Sequence, residues 1–197
     1  MAVAKDNYTL LIEKLDSFIR KYYLNQIIRG VLYSVGLILA LFLASTILEH
    51  YFYFGTGGRK LLFYSFVGSS LLALALWVVI PALRYFNLGK IISHEQAAQI
   101  IGLHFTNVKD KLLNFLQLKQ QADSNASGAA LIRASINQKS EAIKPVPFRA
   151  AINLNNNRKY LKYALPPLLL LIIILFAAPS MIKDSTNRLI NNNKMYE

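Results

Sequence analysis

Gly30-Val31-Leu32-Tyr33-Ser34-Val35-Gly36-Leu37-Ile38-Leu39-Ala40-Leu41-Phe42-Leu43-Ala44-Ser45-Thr46-Ile47-Leu48 runs for 19 residues without a charge. A helix that crosses a bilayer needs about 20 predominantly apolar residues at 1.5 Å of rise each. Two further uncharged runs follow, Leu61 to Leu83 (23 residues) and Tyr163 to Ile182 (20 residues). Three helices buried in a soluble core are the competing reading. Core helices of ordinary domains run to about 11–12 residues and keep a polar face, whereas Leu37 to Leu43 and Leu168 to Phe176 are apolar all round. A cleavable signal peptide does not fit the first run either, because a 29-residue leader precedes it.

Outward from these runs, composition agrees. Charged residues make up 16% of the 197-residue chain and hydrophobic residues 54%, against about 25% charged in a soluble domain. The expected fold class is therefore an all-α membrane protein with three transmembrane helices, a hairpin plus one, and a small cytoplasmic helical segment. There is no cysteine, which excludes disulfides and thiolate metal sites.

The net charge of +12 is interpreted through its placement. Lys14, Arg20, Lys21, Arg29, Arg84, Lys90, Lys144, Arg149, Arg158, Lys159 and Lys162 flank one side of the spans. Arg59, Lys60, Lys183, Arg188 and Lys194 flank the other. Basic residues concentrate on the cytoplasmic side. The expected topology is thus multi-pass, with the N-terminus inside and the C-terminus outside; in a bacterial inner membrane the C-terminus would be periplasmic. The excess cations face a bilayer with anionic headgroups. No groove-reading or base-stacking motif accompanies them, so nucleic acid is not an expected partner.

The resulting division is 1–29, a cytoplasmic amphipathic helix; 30–53, span one; 54–60, a periplasmic turn; 61–83, span two; 84–162, a cytoplasmic helical segment; 163–182, span three; and 183–197, a periplasmic tail too short for a core of its own. In the first of these, Tyr8, Leu11, Leu15, Phe18, Ile19 and Tyr22 repeat at helical spacing. That stripe suits either the headgroup layer or a surface of the cytoplasmic segment. Within that segment Ser93 and Gln96 form a capping-box pattern, Gly102 ends or interrupts the helix, and Asn107 with Asp110 caps a second helix to about Gln121. Asp123 to Gly128 reads as a loop. A third helix is expected over 129–143, stopped by Pro145 and Pro147. A break is expected at Pro166-Pro167.

Small residues recur every fourth position in both hairpin spans: Gly36, Ala40 and Ala44 in the first, Ser65, Ser69 and Ala73 in the second. Such spacing lets helix backbones approach in lipid, and it predicts a seam pairing Ala44 with Ser65, Ala40 with Ser69 and Gly36 with Ala73. Glu49 and His50 end span one beside Tyr51, Phe52, Tyr53 and Phe54. Ionisable groups at a membrane invite a proton-handling reading, but the position at the span end favours ordinary interfacial residues.

Catalytic chemistry finds no residues to carry it. Gly55-Thr56-Gly57-Gly58 lies between spans and lacks the phosphate-loop pattern. His94-Glu95 opens like a zinc-protease motif, but no second histidine follows at four-residue spacing. The expectation is no enzyme, no cofactor and no metal.

Tyr8 to Asp16 with Arg20-Lys21-Tyr22-Tyr23, Ile92 to Gly102, Val108 to Asn114, Asn157 to Tyr163 before Pro166-Pro167, and Ala178-Pro179-Ser180 resemble the N-terminal membrane region of a family of large uncharacterised membrane proteins from Bacteroidota. The resemblance implies a longer parent with a periplasmic part beyond the third span, of which this chain, stopping at Glu197, would be one segment. It carries over no activity and no site residues. The expected role is a membrane anchor and assembly module, with a protein partner or a second copy of the chain as its companion. An accessory subunit of a transporter or cell-envelope complex is the alternative.

Overall fold

The computed structural model describes residues 7–124, 141 and 143–194. All regular elements among them are helical: α1 Asn7–Phe52, α2 Thr56–Leu74, a π-helical turn Ala75–Val79, α3 Ile80–Tyr85, α4 His94–His104, α5 Thr106–Ser124, two 3-10 segments Phe148–Ala151 and Leu154–Tyr160, α6 Leu161–Ala177 and α7 Pro179–Ile190. Three stretches, Thr9–Phe52, Thr56–Tyr85 and Phe148–Ala177, are long and apolar enough to cross a membrane. The protein is an all-α membrane protein. The expected loop from Asn125 onward and the helix over 129–143 fall outside the described residues, apart from Glu141 and Ile143.

The chain divides into two compact units. The first draws on Met1–Leu24 and Arg84–Leu154. Its core is made by large apolar side chains at helical spacing. Leu11, Leu15, Phe18, Ile19 and Tyr23 of α1 meet Ala97, Ala98 and Ile101 of α4, Leu112 and Phe115 of α5, and Ile143, Phe148 and Ile152 of the returning segment. The apolar stripe of α1 is therefore packed on the 84–154 segment; of the two expected settings for it, the headgroup layer does not hold. Polar groups lock the same faces. Lys14 donates to the carbonyls of Lys144 and, at 3.5 Å, Val146. One turn-pair further along, Lys21 donates to the Arg149 carbonyl at 2.6 Å. The Tyr23 hydroxyl accepts from the Ile92 amide at 2.9 Å.

Several local expectations are met and others corrected. The capping box forms: the Gln96 amide donates to Ser93 Oγ at 3.2 Å and the Ser93 amide to Gln96 Oε1 at 3.0 Å. Gly102 does not end α4. It lies buried inside the helix, where a Cβ would sit 2.6 Å from the Lys109 side chain of α5, so its smallness serves helix packing. The next helix opens at Thr106 and not at an Asn107 cap, and it runs through Asp123 and Ser124, which were expected in a loop.

The second unit draws on Asn25–Leu83 and Asn155–Glu197. Here α1 continues without the expected boundary at residue 29. At 46 residues it is about 69 Å long, roughly twice the hydrocarbon thickness, so only part of it can lie in lipid. Its end is marked by Tyr53 at φ 46°, the left-handed position that commonly closes a helix, with the Tyr53 amide donating to the Glu49 carbonyl at 3.1 Å. The connection is shorter than the expected 54–60 turn, because α2 already begins at Thr56.

The third uncharged run is not one helix. It is cut at Ala178 (φ −146°, ψ 65°), and Pro179 opens α7; proline pushes its predecessor out of the helical region and offers no amide. Upstream, the expected break at Pro166-Pro167 does not occur. Both prolines lie inside α6, and the break falls at Tyr160, where a 3-10 segment gives way to the α-helix. The tail is also more than an extension: Ile182, Ser185 and Leu189 of α7 are buried, and α7 packs on α2 and α6.

Candidate membrane-interface site

Three apolar helices of the second unit meet where Pro81 and Pro167 lie, opposite two glycines of α1. In an α-helix the Trp77 carbonyl would accept from the amide of residue 81, but that residue is Pro81 and has none. The helix takes up the irregularity as the π-helical turn Ala75–Val79, in which the Ile80 amide reaches back to the Ala75 carbonyl. The Trp77 carbonyl lies directly against Gly30 of α1, so close that no Cβ fits there. The same device recurs in α6. Pro167 leaves the Tyr163 carbonyl without its helical donor, and that carbonyl lies against Gly36, where a Cβ would come within 2.6 Å. Two glycines of α1 thus each face a carbonyl whose usual helical donor position holds a proline, a setting for Cα–H···O contacts.

Around this crossing the aromatic rings gather. The Tyr33 ring lies 5.7 Å from Trp77, 5.1 Å from Tyr160 and 5.4 Å from Tyr163. Cations cover the outer rings: the Arg29 guanidinium lies 5.0 Å from the Tyr160 centroid, Lys159 Nζ 5.2 Å from the same ring, and Lys162 Nζ 5.0 Å from Tyr163. The buried Asn157 donates to Asn25 Oδ1 at 2.7 Å, fastening the 3-10 segment to α1. Aromatic residues with basic neighbours at the end of apolar helices match the composition of a headgroup layer.

The expected packing seam does not lie where four-residue spacing placed it. Ala40, Ala44, Ser65 and Ser69 are exposed on the chain; Gly36 and Ala73 are buried. Gly36 lies against Tyr163 and Ala164 of α6. The buried face of α1 runs through Gly30, Ser34, Leu43, Ser45, Thr46 and Glu49 instead. The physical reason is the third helix: a two-helix seam was expected, while the close approaches are set by carbonyls of both α6 and the π-helical turn.

At the other end of the hairpin, Arg59 Nε donates to Glu49 Oε1 at 2.8 Å, with the two side chains 3% and 0% exposed. Arg59 Nη1 also donates to the Lys194 carbonyl at 3.1 Å, tying the segment after α7 to the hairpin. Glu49 is therefore not an ordinary interfacial residue, and its partner is Arg59 and not His50, whose ring lies against Tyr51 at 5.3 Å. The opposite charges that bracket the hairpin turn, ten residues apart, were the available signal.

His94 and Glu95 take structural places in the first unit. His94 Nε2 pairs with Asp16 Oδ1 at 2.9 Å across α1 and α4. Glu95 sits in the first turn of α4, and its carboxyl is held below the usual value first by the Ser93 side-chain hydrogen bond, then by a backbone hydrogen bond, with His94 adding a smaller attraction. Among the described residues no group of three or more His, Asp or Glu side chains gathers as a metal site would require. A hollow of about 310 Å³ in this unit is lined by Lys14, Ser17, Arg149 and the Pro145–Phe148 stretch, with no carboxylate or histidine among them. No model of a protein family, no curated protein and no solved structure matches this chain.

Proposed function

We propose that this protein is a membrane anchor and assembly module of the bacterial inner membrane. It crosses the bilayer three times, with the N-terminus and the 84–154 helical unit in the cytoplasm and the C-terminal segment in the periplasm. The carrying observation is the inverted surface of the second unit. Leu61, Leu71, Leu72, Leu169, Ile173 and Phe176 point outward, Phe176 at 87% exposure, while Ser34, Ser45, Thr46, Glu49, Arg59, Ser70 and Ser185 are buried. An apolar surface of that extent requires a lipid or protein cover. The uncharged runs supply the length, and the basic flanks supply the direction. A role as the membrane segment of a longer Bacteroidota protein is part of the same proposal.

Two measurements test it. The protein should stay in the pellet after alkaline carbonate extraction; release into the supernatant ends the reading. Single cysteines placed at the exposed positions Gly57, Asn107 and Asn193 should react with an impermeant thiol reagent in intact spheroplasts at 57 and 193 only. Labelling at 107 alone would reverse the orientation and keep the spans.

A further inference from the structure

We infer that the cluster of Arg29, Tyr33, Trp77, Tyr160, Lys159 and Lys162 is a binding site for the phosphate headgroup of an anionic phospholipid. The inference rests on the proposal that the second unit is embedded in a bilayer, and it adds a site and a headgroup chemistry to it.

The first support is charge without compensation. Arg29, Arg158, Lys159 and Lys162 lie in stretches with no acidic residue anywhere between Ser17 and Leu48 or between Ala142 and Lys183, and the Trp77 stretch has none between His50 and His94. The opposite end of the hairpin differs. There Arg59 is matched by Glu49, and Lys183 and Arg188 share α7 with Asp184. The proline end thus carries its basic residues with no acidic residue in the same stretches, whereas acidic residues accompany the basic ones at the other end.

The second support is local geometry. Arg29 Nε is buried and has no hydrogen-bond partner, an unmet donor that a native structure rarely tolerates. A phosphodiester supplies charged acceptor oxygens that match a guanidinium and ammonium groups. The ring contacts of Arg29, Lys159 and Lys162 hold the cations in place without cancelling their charge. Lys159 and Lys162 are exposed, so a ligand can reach them. The third support is position. The rings belong to the ends of the apolar helices, with the exposed Leu165 and Leu168 within about one and a half turns beyond Tyr163, which is where acyl chains would begin. That continuity favours a lipid over a free anion or a nucleic acid.

The chain contains a single tryptophan, and it is Trp77, inside the cluster. Its fluorescence gives the test. The full chain is reconstituted into phosphatidylcholine vesicles with equal small fractions of either phosphatidylglycerol or phosphatidylcholine brominated near the top of the acyl chains. Brominated phosphatidylglycerol should quench Trp77 more strongly, giving a relative association constant clearly above one. The Lys159→Gln/Lys162→Gln variant should lower that constant roughly tenfold or more, given the usual attraction of a basic side chain to anionic lipid. The Lys183→Gln/Lys194→Gln variant, with the same loss of charge at the other end, should leave it unchanged.

Equal quenching by the two lipids in carbonate-resistant wild-type protein overturns the inference and leaves the membrane reading standing. So does an undiminished preference in the 159/162 variant, an equal loss in both variants, or relief of the quenching by added RNA. Carbonate release, by contrast, removes the membrane reading itself. Because both lysines of the test variant are exposed, native-like Trp77 emission in plain phosphatidylcholine checks that its fold is retained.

Discussion

The single helix α1 behaves as two different molecules along its length. In its first half it buries Leu11, Leu15, Phe18, Ile19 and Tyr23. In its second half it buries Ser34, Ser45, Thr46 and Glu49 and turns Val31, Val35 and Leu48 outward. Backbone geometry is the same throughout; what changes is the medium each half is built for. Where water is the solvent, removing apolar area from it drives packing at roughly 25 cal/mol per Å². Between lipid-facing helices that drive is absent, and close contact rests on small residues and on polar groups satisfied inside. Thr46 illustrates the second regime: its hydroxyl reaches back to the carbonyls of Phe42 and Leu43, each at 3.0 Å, and so needs no partner on another helix.

The contrast is most exposed to failure at large side chains. Phe18→Ala should destabilise the first unit by about 3–5 kcal/mol, the usual range for a buried phenylalanine. Val35→Ala, on the same helix but facing outward, should stay within about 0.5 kcal/mol. Thermal unfolding in mild detergent, followed by circular dichroism and limited proteolysis, measures both, and equal losses would erase the distinction between the two halves. Glu49→Ala belongs near the top of the scale as well. It removes the carboxylate from a buried ion pair, for which losses of about 3–5 kcal/mol are typical. Replacing both partners by leucine should recover part of the loss, with the remainder reflecting the Arg59 bond to the Lys194 carbonyl.

The spans and the first unit's core were legible because both are written in simple patterns: absence of charge over bilayer length, and apolar residues at helical spacing. The seam was not, because α1 carries four-residue small spacing on two faces. Gly36, Ala40 and Ala44 satisfy the pattern as well as Gly30 and Ser34 do, and spacing alone cannot rank them. What ranks single positions is Pro81 and Pro167, which leave the Trp77 and Tyr163 carbonyls without their helical donors, against Gly30 from one face and Gly36 from the other. Likewise the break at Ala178 was present in Pro179, but a run defined by missing charge passes over a proline without registering it. The aromatic and cationic members of the interface site were visible one by one as interfacial residues. Their convergence depends on the chain returning some 130 positions later, which no local window contains.

A smaller effect sharpens that ranking. Gly30→Ala puts a methyl group where the Trp77 carbonyl lies, and because the obstacle is backbone it cannot rotate away. Forced separation of α1 from the π-helical turn should cost about 1–3 kcal/mol and shift the emission of Trp77. Gly36→Ala should follow the same course against Tyr163. Leucine at both Ala40 and Ser69, which are exposed, should change detergent stability by less than about 0.5 kcal/mol. If the leucine pair loosened the hairpin and Gly30→Ala did not, the four-residue seam would be restored and the carbonyls against Gly30 and Gly36 would lose their role.

The smallest expected effect belongs to the first unit and concerns pH. Glu95 is exposed, and its carboxyl is lowered chiefly by the Ser93 hydrogen bond, at the positive end of α4. A carboxyl lowered by folding adds stability while it is ionised in both states. That contribution is complete above the ordinary carboxylate value and disappears as pH falls through the lowered one. Stability should therefore decline on acidification through that window, by no more than a few tenths of a kcal/mol for so exposed a group. Glu95→Gln should abolish that part of the pH slope while leaving the neutral-pH midpoint nearly unchanged. Ser93→Ala should cost more at neutral pH, about 1 kcal/mol for the lost cap, and should also raise the Glu95 titration, which carboxyl NMR can follow directly. An unmoved Glu95 titration in Ser93→Ala would assign the lowering to the helix backbone and remove the side chain from the account.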